Sequence, residues 1–400
     1  MATRRRVFYY ATEARLHRGQ DGKIYSDASQ DWYENHLLWL ESFDEVRIVA
    51  RVEDAPRNSG RLVEGDGVTV LAVPSYQGPR GMVWRFLQIR SVVRRSCTDA
   101  SAVYGGRFPG VIGAITVGAG KRIGARTFAH VVGDPYDLLK SGVAGWFGTN
   151  LAWIAKLLMV HQVSRVDGAI YVSEQTLQRR YPVHRDARTL IRSGVSASSG
   201  TLAAQAKIPD PRREFTTIVA VGTHDQMYKG HDLLLEAVAR LRAKGRRVKL
   251  DLVGGGSKHE ILVGLARELE VDGHVRFLGH VETPDRVREI LDGADLFAMP
   301  SRTEGVPRAL IEAMARGLPC IGSNIGGIPE LLPPECLFTS DSVEELTNLL
   351  ETTIHDEEWL AEQGTGNLER AREICQSLDP QRVSHFFKLM TSAPKIMENK

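Results

Sequence analysis

Four hundred residues, 42% apolar and 25% charged, describe a globular chain of about two ordinary domains and exclude extended disorder. A net charge of +2 excludes the bulk basic field of a nucleic-acid binder, so no nucleic-acid partner is expected. The four cysteines, at 97, 320, 336 and 375, have neither Cys-X-X-Cys nor zinc spacing, which predicts a reduced, cytoplasmic protein.

Strands and helices alternate from the start. Met-Ala-Thr-Arg-Arg-Arg runs directly into Val7-Phe-Tyr-Tyr, without the apolar segment of a signal peptide. Strands are predicted at Val7–Ala11, Val46–Val52, Val68–Val73, Ala102–Tyr104, Thr127–Val132, Ala169–Val172 and Thr189–Ile191, with helices between most of them. Residues 80–95 form a basic helix. Met82, Phe86, Ile89 and Val93 share one stripe, and Arg80, Arg90, Arg94 and Arg95 lie largely on the other side. That pattern suits peripheral contact with an anionic membrane or an acidic acceptor, and it equally suits packing on the first sheet. Residues 142–163 include Trp146, Phe147, Leu151, Trp153, Ile154, Leu157, Leu158, Met159 and Val160. Asn150, Lys156 and His161 interrupt the run, so a buried helix is predicted rather than a membrane span.

The composition changes at Ser196-Ala-Ser-Ser-Gly-Thr and Ile208-Pro-Asp-Pro, which reads as a linker over 196–213. A second alternation follows, with strands at Thr217–Val221, Lys249–Val253, Val275–Leu278, Leu296–Met299 and Pro319–Gly322 and a short Leu337–Phe338. Its helices begin near His231, Ser257, Thr283, Pro307 and Ser342. The reading is α/β throughout: two doubly wound, Rossmann-like parallel-sheet domains, at 1–195 and 214–377. A last helix over 378–400, broken from its predecessor at Asp379-Pro380, is expected to cross back to the first domain. Ligands of such sheets bind at the carboxyl ends of the strands.

Four strand-end loops of the second domain carry candidate chemistry. Gly222-Thr223 leads to Lys229-Gly230, where a lysine can neutralise phosphate or stand solvated. Gly254-Gly255-Gly256 allows close backbone approach, but it is not a dinucleotide fingerprint. Phe277-Leu-Gly leads to His280 and Val281. The fourth loop is Ser301-Arg-Thr-Glu304-Gly305-Val306-Pro307-Arg308, with Glu312 eight positions after Glu304. Pro307 is placed to be the first helical residue, and the amides near Arg308 and Ala309 then favour an anion. An Arg308–Glu312 surface pair is the plainer reading of that helix.

Together these loops resemble the retaining glycosyltransferases of family 4, whose motif Glu-X7-Glu is matched by Glu304 and Glu312. Gly326-Gly-Ile-Pro-Glu330 adds to the likeness. Gly133-Asp-Pro135 and Tyr171–Pro182 resemble its polysaccharide-assembly members. The resemblance implies the GT-B architecture, with two Rossmann-like domains facing across a cleft. It further implies transfer of a sugar from a nucleotide donor, most simply UDP-linked, to a glycan, lipid-linked or small-molecule hydroxyl. Glu304 would contact donor sugar hydroxyls and Glu312 the ribose. Lys229 and the amides after Gly305 would hold the pyrophosphate, and the backbone at His280 and Val281 would meet the base.

Three departures stand out. Thr223 occupies the position of an expected arginine, leaving Arg302, Arg308 or a first-domain arginine as substitutes. The expected first-domain histidine is absent; Gly133 or Asp134 falls nearest, with His130 inside the strand, and Asp134 reads equally as a general base or as a helix N-cap or Asp-Pro turn. The usual glycine pair after the first strand is also missing, with Gly19 and Gly22 the local candidates. No Asp-X-Asp occurs, so neither a metal nor a cofactor is expected. A nucleotide-sugar epimerase and a non-catalytic nucleotide-sugar-binding partner are the alternatives.

Overall fold

The computed structural model describes residues 5–28, 31–56, 58–140, 148–194, 200–210, 212–225, 227–281 and 283–393. The described residues within Met1–Pro135, Trp153–Arg192 and Asp379–Lys400 form one compact unit, and those within Tyr136–Ala152 and Ser193–Leu378 form another.

In chain order the elements up to residue 191 are β1 (Val7–Arg18), β2 (Ile24–Ser26), α1 (Tyr33–Leu40), β3 (Glu45–Asp54), β4 (Arg61–Leu62), β5 (Val68–Pro74), α2 (Gly78–Ser96), β6 (Val103–Phe108), α3 (Val111–Arg122), β7 (Arg126–Val131), α4 (Pro135–Leu138), α5 (Gly148–Val163), β8 (Gly168–Tyr171), α6 (Thr176–Arg180) and β9 (Arg188–Ile191). The first sheet has a parallel core in the order β5-β3-β1-β6-β7-β8-β9. The end of β1 also pairs antiparallel with β2, and β2 with β4. β1 is longer than its sequence suggested because it continues past an irregularity between Ala11 and Arg15. Gly19 and Gly22 close the β1–β2 turn, with the Gly22 N–H donating to Gly19 O at 3.0 Å.

The second unit continues with β10 (Thr216–Val221), α7 (His231–Ala243), β11 (Val248–Val253), α8 (His259–Glu268), β12 (Val275–Gly279), α9 (Pro284–Gly293), β13 (Leu296–Met299), α10 (Arg308–Ala315), β14 (Cys320–Ser323), β15 (Leu337–Phe338), α11 (Val343–Thr353) and α12 (Glu357–Gln376). Its strands are all parallel, in the order β12-β11-β10-β13-β14-β15. Near-continuous apolar runs such as Ile218–Ala220 and Leu296–Met299 are what a sheet covered on both faces requires. Separate apolar clusters fill the two faces, one around Leu234, Val238 and Leu250, the other around Phe297, Leu310 and Met314. Both sheets reverse strand order beside their first strand, the topology of a doubly wound α/β fold.

The final helix, α13 (Pro380–Ser392), is capped by Asp379 and belongs to the first unit. Its Phe387 ring lies 4.9 Å from that of Phe43 and 5.5 Å from that of Phe8, centroid to centroid. Removing such a ring from a core costs on the order of 3–5 kcal/mol.

Two stretches differ from their sequence reading. The 196–213 segment, of which 200–210, 212 and 213 are described, runs against the second unit rather than free. Ala203 N–H donates to Ala315 O at 2.8 Å, Lys207 N–H to Gly317 O at 3.0 Å and Arg372 to Ala204 O at 3.1 Å. Its Gly, Ser and Pro content serves irregular backbone that is still paired. The helix expected to be buried over 142–163 is only half so; Trp146 and Phe147 lie outside the described residues. In α5, Ala152, Met159 and Val163 are buried, whereas Leu157 and Leu158 are 64% and 55% exposed. The apolar residues surround the helix, and a single stripe of them packs. No described helix is long and apolar enough to cross a membrane.

Candidate functional site

The strand order of the second sheet reverses between β10 and β13, so the loops leaving these two strands define its ligand-binding crevice. One is the loop Gly222–Gly230, the other Ser301–Arg308. Sequence positions 79 residues apart are thereby brought together.

Lys229 and Glu304 meet there. The Lys229 ammonium donates to Glu304 Oε1 at 2.6 Å, and the Ser301 hydroxyl donates to the same oxygen at 2.9 Å. Both charged side chains are largely shielded, Lys229 19% and Glu304 10% exposed. Lys229 ends a single 3-10 turn and precedes Gly230, whose left-handed backbone (φ 71°) starts α7. A Cβ on Gly230 would collide with the carbonyl of Pro300, so only glycine lets this loop close on the end of β13. The Glu304 loop is braced from behind: Gly327 N–H donates to Gly305 O at 2.7 Å. This is the physical role of the Gly326-Gly327 pair.

α10 begins at Arg308, with Pro307 as its N-cap (φ −74°, ψ 116°) rather than its first helical residue. Proline offers no side-chain acceptor, and among the described residues no side chain caps this helix. Its first amides therefore favour an anion arriving from outside. Glu312 lies one turn further along. Burial pushes its carboxyl above the ordinary range, against the opposing charges of Arg308 and Arg288. Arg308 is exposed. Among the described residues it makes no ion pair with Glu312, so the surface-pair reading of this helix fails.

The substitute cation can be narrowed. Arg302 is largely committed elsewhere: it forks onto both oxygens of Asp232 at 2.9 Å each, donates to Asp341 at 2.7 Å and donates to Met227 O at 2.7 Å. Four of its five N–H donors thus anchor the loop, which leaves the exposed Arg308 as the freer second-unit candidate. Thr223 is spent within the loops, donating to Asp225 at 2.9 Å and lying 3.3 Å from Gly255 O.

The glycine loop packs against the first loop. Gly254 (φ 141°) sits where a Cβ would strike Gly222 O, and its N–H donates to Gly279 O at 2.8 Å. The exposed His280 follows on, with its backbone nitrogen beside Gly255. Val281, partly buried, packs its side chain against the apolar core. Gly222, Thr223, Lys229, Gly254, Gly255, His280, Glu304, Gly305, Val306 and Arg308 thus share the carboxyl-end loops of one sheet.

Asp134 belongs to the other unit and is not a free carboxylate. Its Oδ1 accepts from the Tyr181 hydroxyl and its Oδ2 from Arg180. Both carboxylate oxygens are therefore engaged, and the residue stands immediately ahead of the four-residue α4, the position of a helix N-cap. His130 is also occupied, 2.7 Å from the Tyr10 hydroxyl, and burial holds its pKa well below the ordinary value.

Sequence reading missed two participants. Ser301 stands three residues before Glu304 in the same loop, within reach of its carboxylate. The buried His224 lies with its Nδ1 3.2 Å from that of His259, tying the first loop to the start of α8. Nothing in their separation, 35 residues, signals that contact. Among the described residues no cluster of three or more His, Cys, Asp or Glu side chains is arranged to hold a metal ion.

Residues 204–369 match the sequence family described as Glycosyl transferases group 1. Protein CapJ of Staphylococcus aureus is 26% identical over 341 residues, covering 82% of this chain and 83% of CapJ. Among solved structures, sucrose-phosphate synthase from Thermosynechococcus elongatus superposes with a TM-score of 0.72 at 16% identity, covering 97% of this chain and 100% of that one. Anabaena HepE in complex with UDP-glucose superposes with a TM-score of 0.60 at 16% identity, covering 97% and 100%. The fold is therefore that of the GT-B glycosyltransferases.

Proposed function

We propose that the chain is a glycosyltransferase that moves a sugar from a UDP-linked donor to a hydroxyl acceptor with retention of configuration, a reading supported by the match of residues 204–369 to the group 1 glycosyl transferases. The observation that carries this reading is the Lys229–Glu304 pair beside the uncapped start of α10. A sugar diphosphate complements both groups of the pair. Its phosphates take the Lys229 ammonium, the α10 amides and Arg308. Its sugar hydroxyls donate to the Glu304 carboxylate. Glu312 then accepts from the ribose. HepE, which binds UDP-glucose, makes uridine the first base to test.

Charge on the departing diphosphate is met by Lys229 and the helix amides, fixed in place before the reaction. No metal is required in this scheme. Attack on the face the phosphate leaves fits retention without a placed nucleophile, and a covalent route through another carboxylate is the alternative. The acceptor is a glycan, a lipid-linked sugar or a small metabolite.

A thermal-shift screen of nucleotide sugars, then product analysis by NMR, tests the proposal. The expected result is stabilisation by one UDP-sugar and an axial or equatorial product linkage matching the donor. An inverted product refutes retention. Free rearranged sugar without acceptor indicates an epimerase, and tight donor binding without turnover indicates a binding partner.

A further inference from the structure

α2 has an apolar face that packing does not use. Ile89 and Val93 are fully buried against the first sheet, and Met82 and Phe86 of the same stripe are half-buried. Val83, Trp84 and Leu87 lie outside that stripe, 68%, 86% and 72% exposed. At spacings of three and four these side chains are neighbours on the helix surface. Single exposed apolar residues are ordinary, but a contiguous patch with a tryptophan at its centre marks an interaction site.

The charges around the patch are of one sign. Residues 67–98 contain no Asp or Glu. Arg80, Arg85, Arg94 and Arg95 are exposed, and the arginines of α2 form no ion pair among the described residues. Arg94 sits in the field of Arg90 and of Arg122 at the end of α3, with no carboxylate to neutralise it.

We propose that α2 docks on an anionic lipid bilayer surface, with Trp84, Leu87 and Val83 in the interfacial layer and the arginines against headgroup phosphates. A bilayer supplies both complements together: apolar depth for a tryptophan and a leucine, and a plane of negative charge for flanking guanidinium groups. The proposal does not depend on which donor the second unit binds.

The full chain is sedimented with vesicles of phosphatidylglycerol and phosphatidylcholine, and with phosphatidylcholine alone. Binding to the mixed vesicles, falling with salt and absent on the neutral ones, is expected. Arg94→Glu with Arg95→Glu should lower the partition coefficient ~10-fold or more, each arginine contributing at the surface. Trp84→Glu with Leu87→Glu should abolish binding. These positions are exposed, so the melting temperature and the turnover of a soluble donor should stay unchanged. Absence of wild-type binding, or equal binding by either variant, overturns the proposal. So does loss of binding confined to Leu157→Glu with Leu158→Glu, which would assign the contact to α5. Sedimentation velocity provides the last check: a wild-type dimer made monomeric by Trp84→Glu with Leu87→Glu would make the patch a self-association surface instead.

Discussion

At the switch point of the first sheet, between β1 and β6, the helix that follows carries its own anion. Glu13 Oε1 accepts from the Ile112 N–H of α3 at 2.9 Å, while Oε2 accepts from the Tyr76 hydroxyl at 2.6 Å and lies 3.7 Å from Arg51. At the corresponding point of the second sheet, between β10 and β13, the helix start is uncapped and a lysine–glutamate pair stands beside it. The same topology thus gives a satisfied site in one unit and an unsatisfied one in the other. An internal carboxylate makes the first a structural joint. A missing one leaves the second ready for a ligand's phosphate. The absent glycine pair after the first strand belongs to this contrast, because Glu13 occupies the crevice that glycines would leave open.

If the open switch point is the chemical one, disabling it has the largest consequence. Lys229→Ala and Glu304→Gln should each lower kcat on the order of 10²-fold or more, the scale for removing a group aimed at developing charge. Steady-state kinetics on folded variants, with melting temperatures recorded alongside, decide this. Near wild-type turnover in both would remove the assignment. The closed switch point predicts the reverse pattern. Glu13→Ala strands an amide and a phenol and removes the countercharge beside a buried guanidinium, and should cost about 2 kcal/mol of stability. Donor affinity, measured by calorimetry on the folded fraction, should not change. A comparable loss of donor binding would show that the first crevice is also part of the donor site.

Much of this contrast was legible in the sequence, and the limits are physical. The alternation of apolar runs and amphipathic stretches is a local signal, and it gave both parallel sheets. Glu304, Glu312 and Pro307 lie within one short stretch, so their loop-to-helix setting was also readable. Pairing across 75 residues was not: nothing local says that Lys229 reaches Glu304, or that Arg302 turns away to Asp232 and Asp341. Glu13 was invisible for the same reason, since its partners lie up to 99 residues away. The packed stripe of α2 was evident from its spacing. Its second apolar group was masked because Val83, Trp84 and Leu87 interleave with that stripe.

The smallest effect separates the two carboxylates most finely. Glu13 supports its fold, whereas Glu312 is held by burial in a state that favours its neutral form. An unfolded chain releases a glutamate proton near pH 4.3, and the folded one retains it to higher pH. Between those values the folded state binds more protons, so the stability contributed by Glu312 is present below the ordinary value and is lost as pH rises through the raised one. Glu312→Gln cannot lose that proton. The variant should therefore melt slightly above the wild type at neutral pH. The two melting curves should converge as pH falls below about 4. The same change should weaken nucleoside diphosphate binding by roughly tenfold, the worth of one hydrogen bond to a charged acceptor. A melting difference that does not vary with pH would show that burial does not hold the carboxyl up. Unchanged nucleotide affinity would remove Glu312 from the donor site while leaving Glu304 in it.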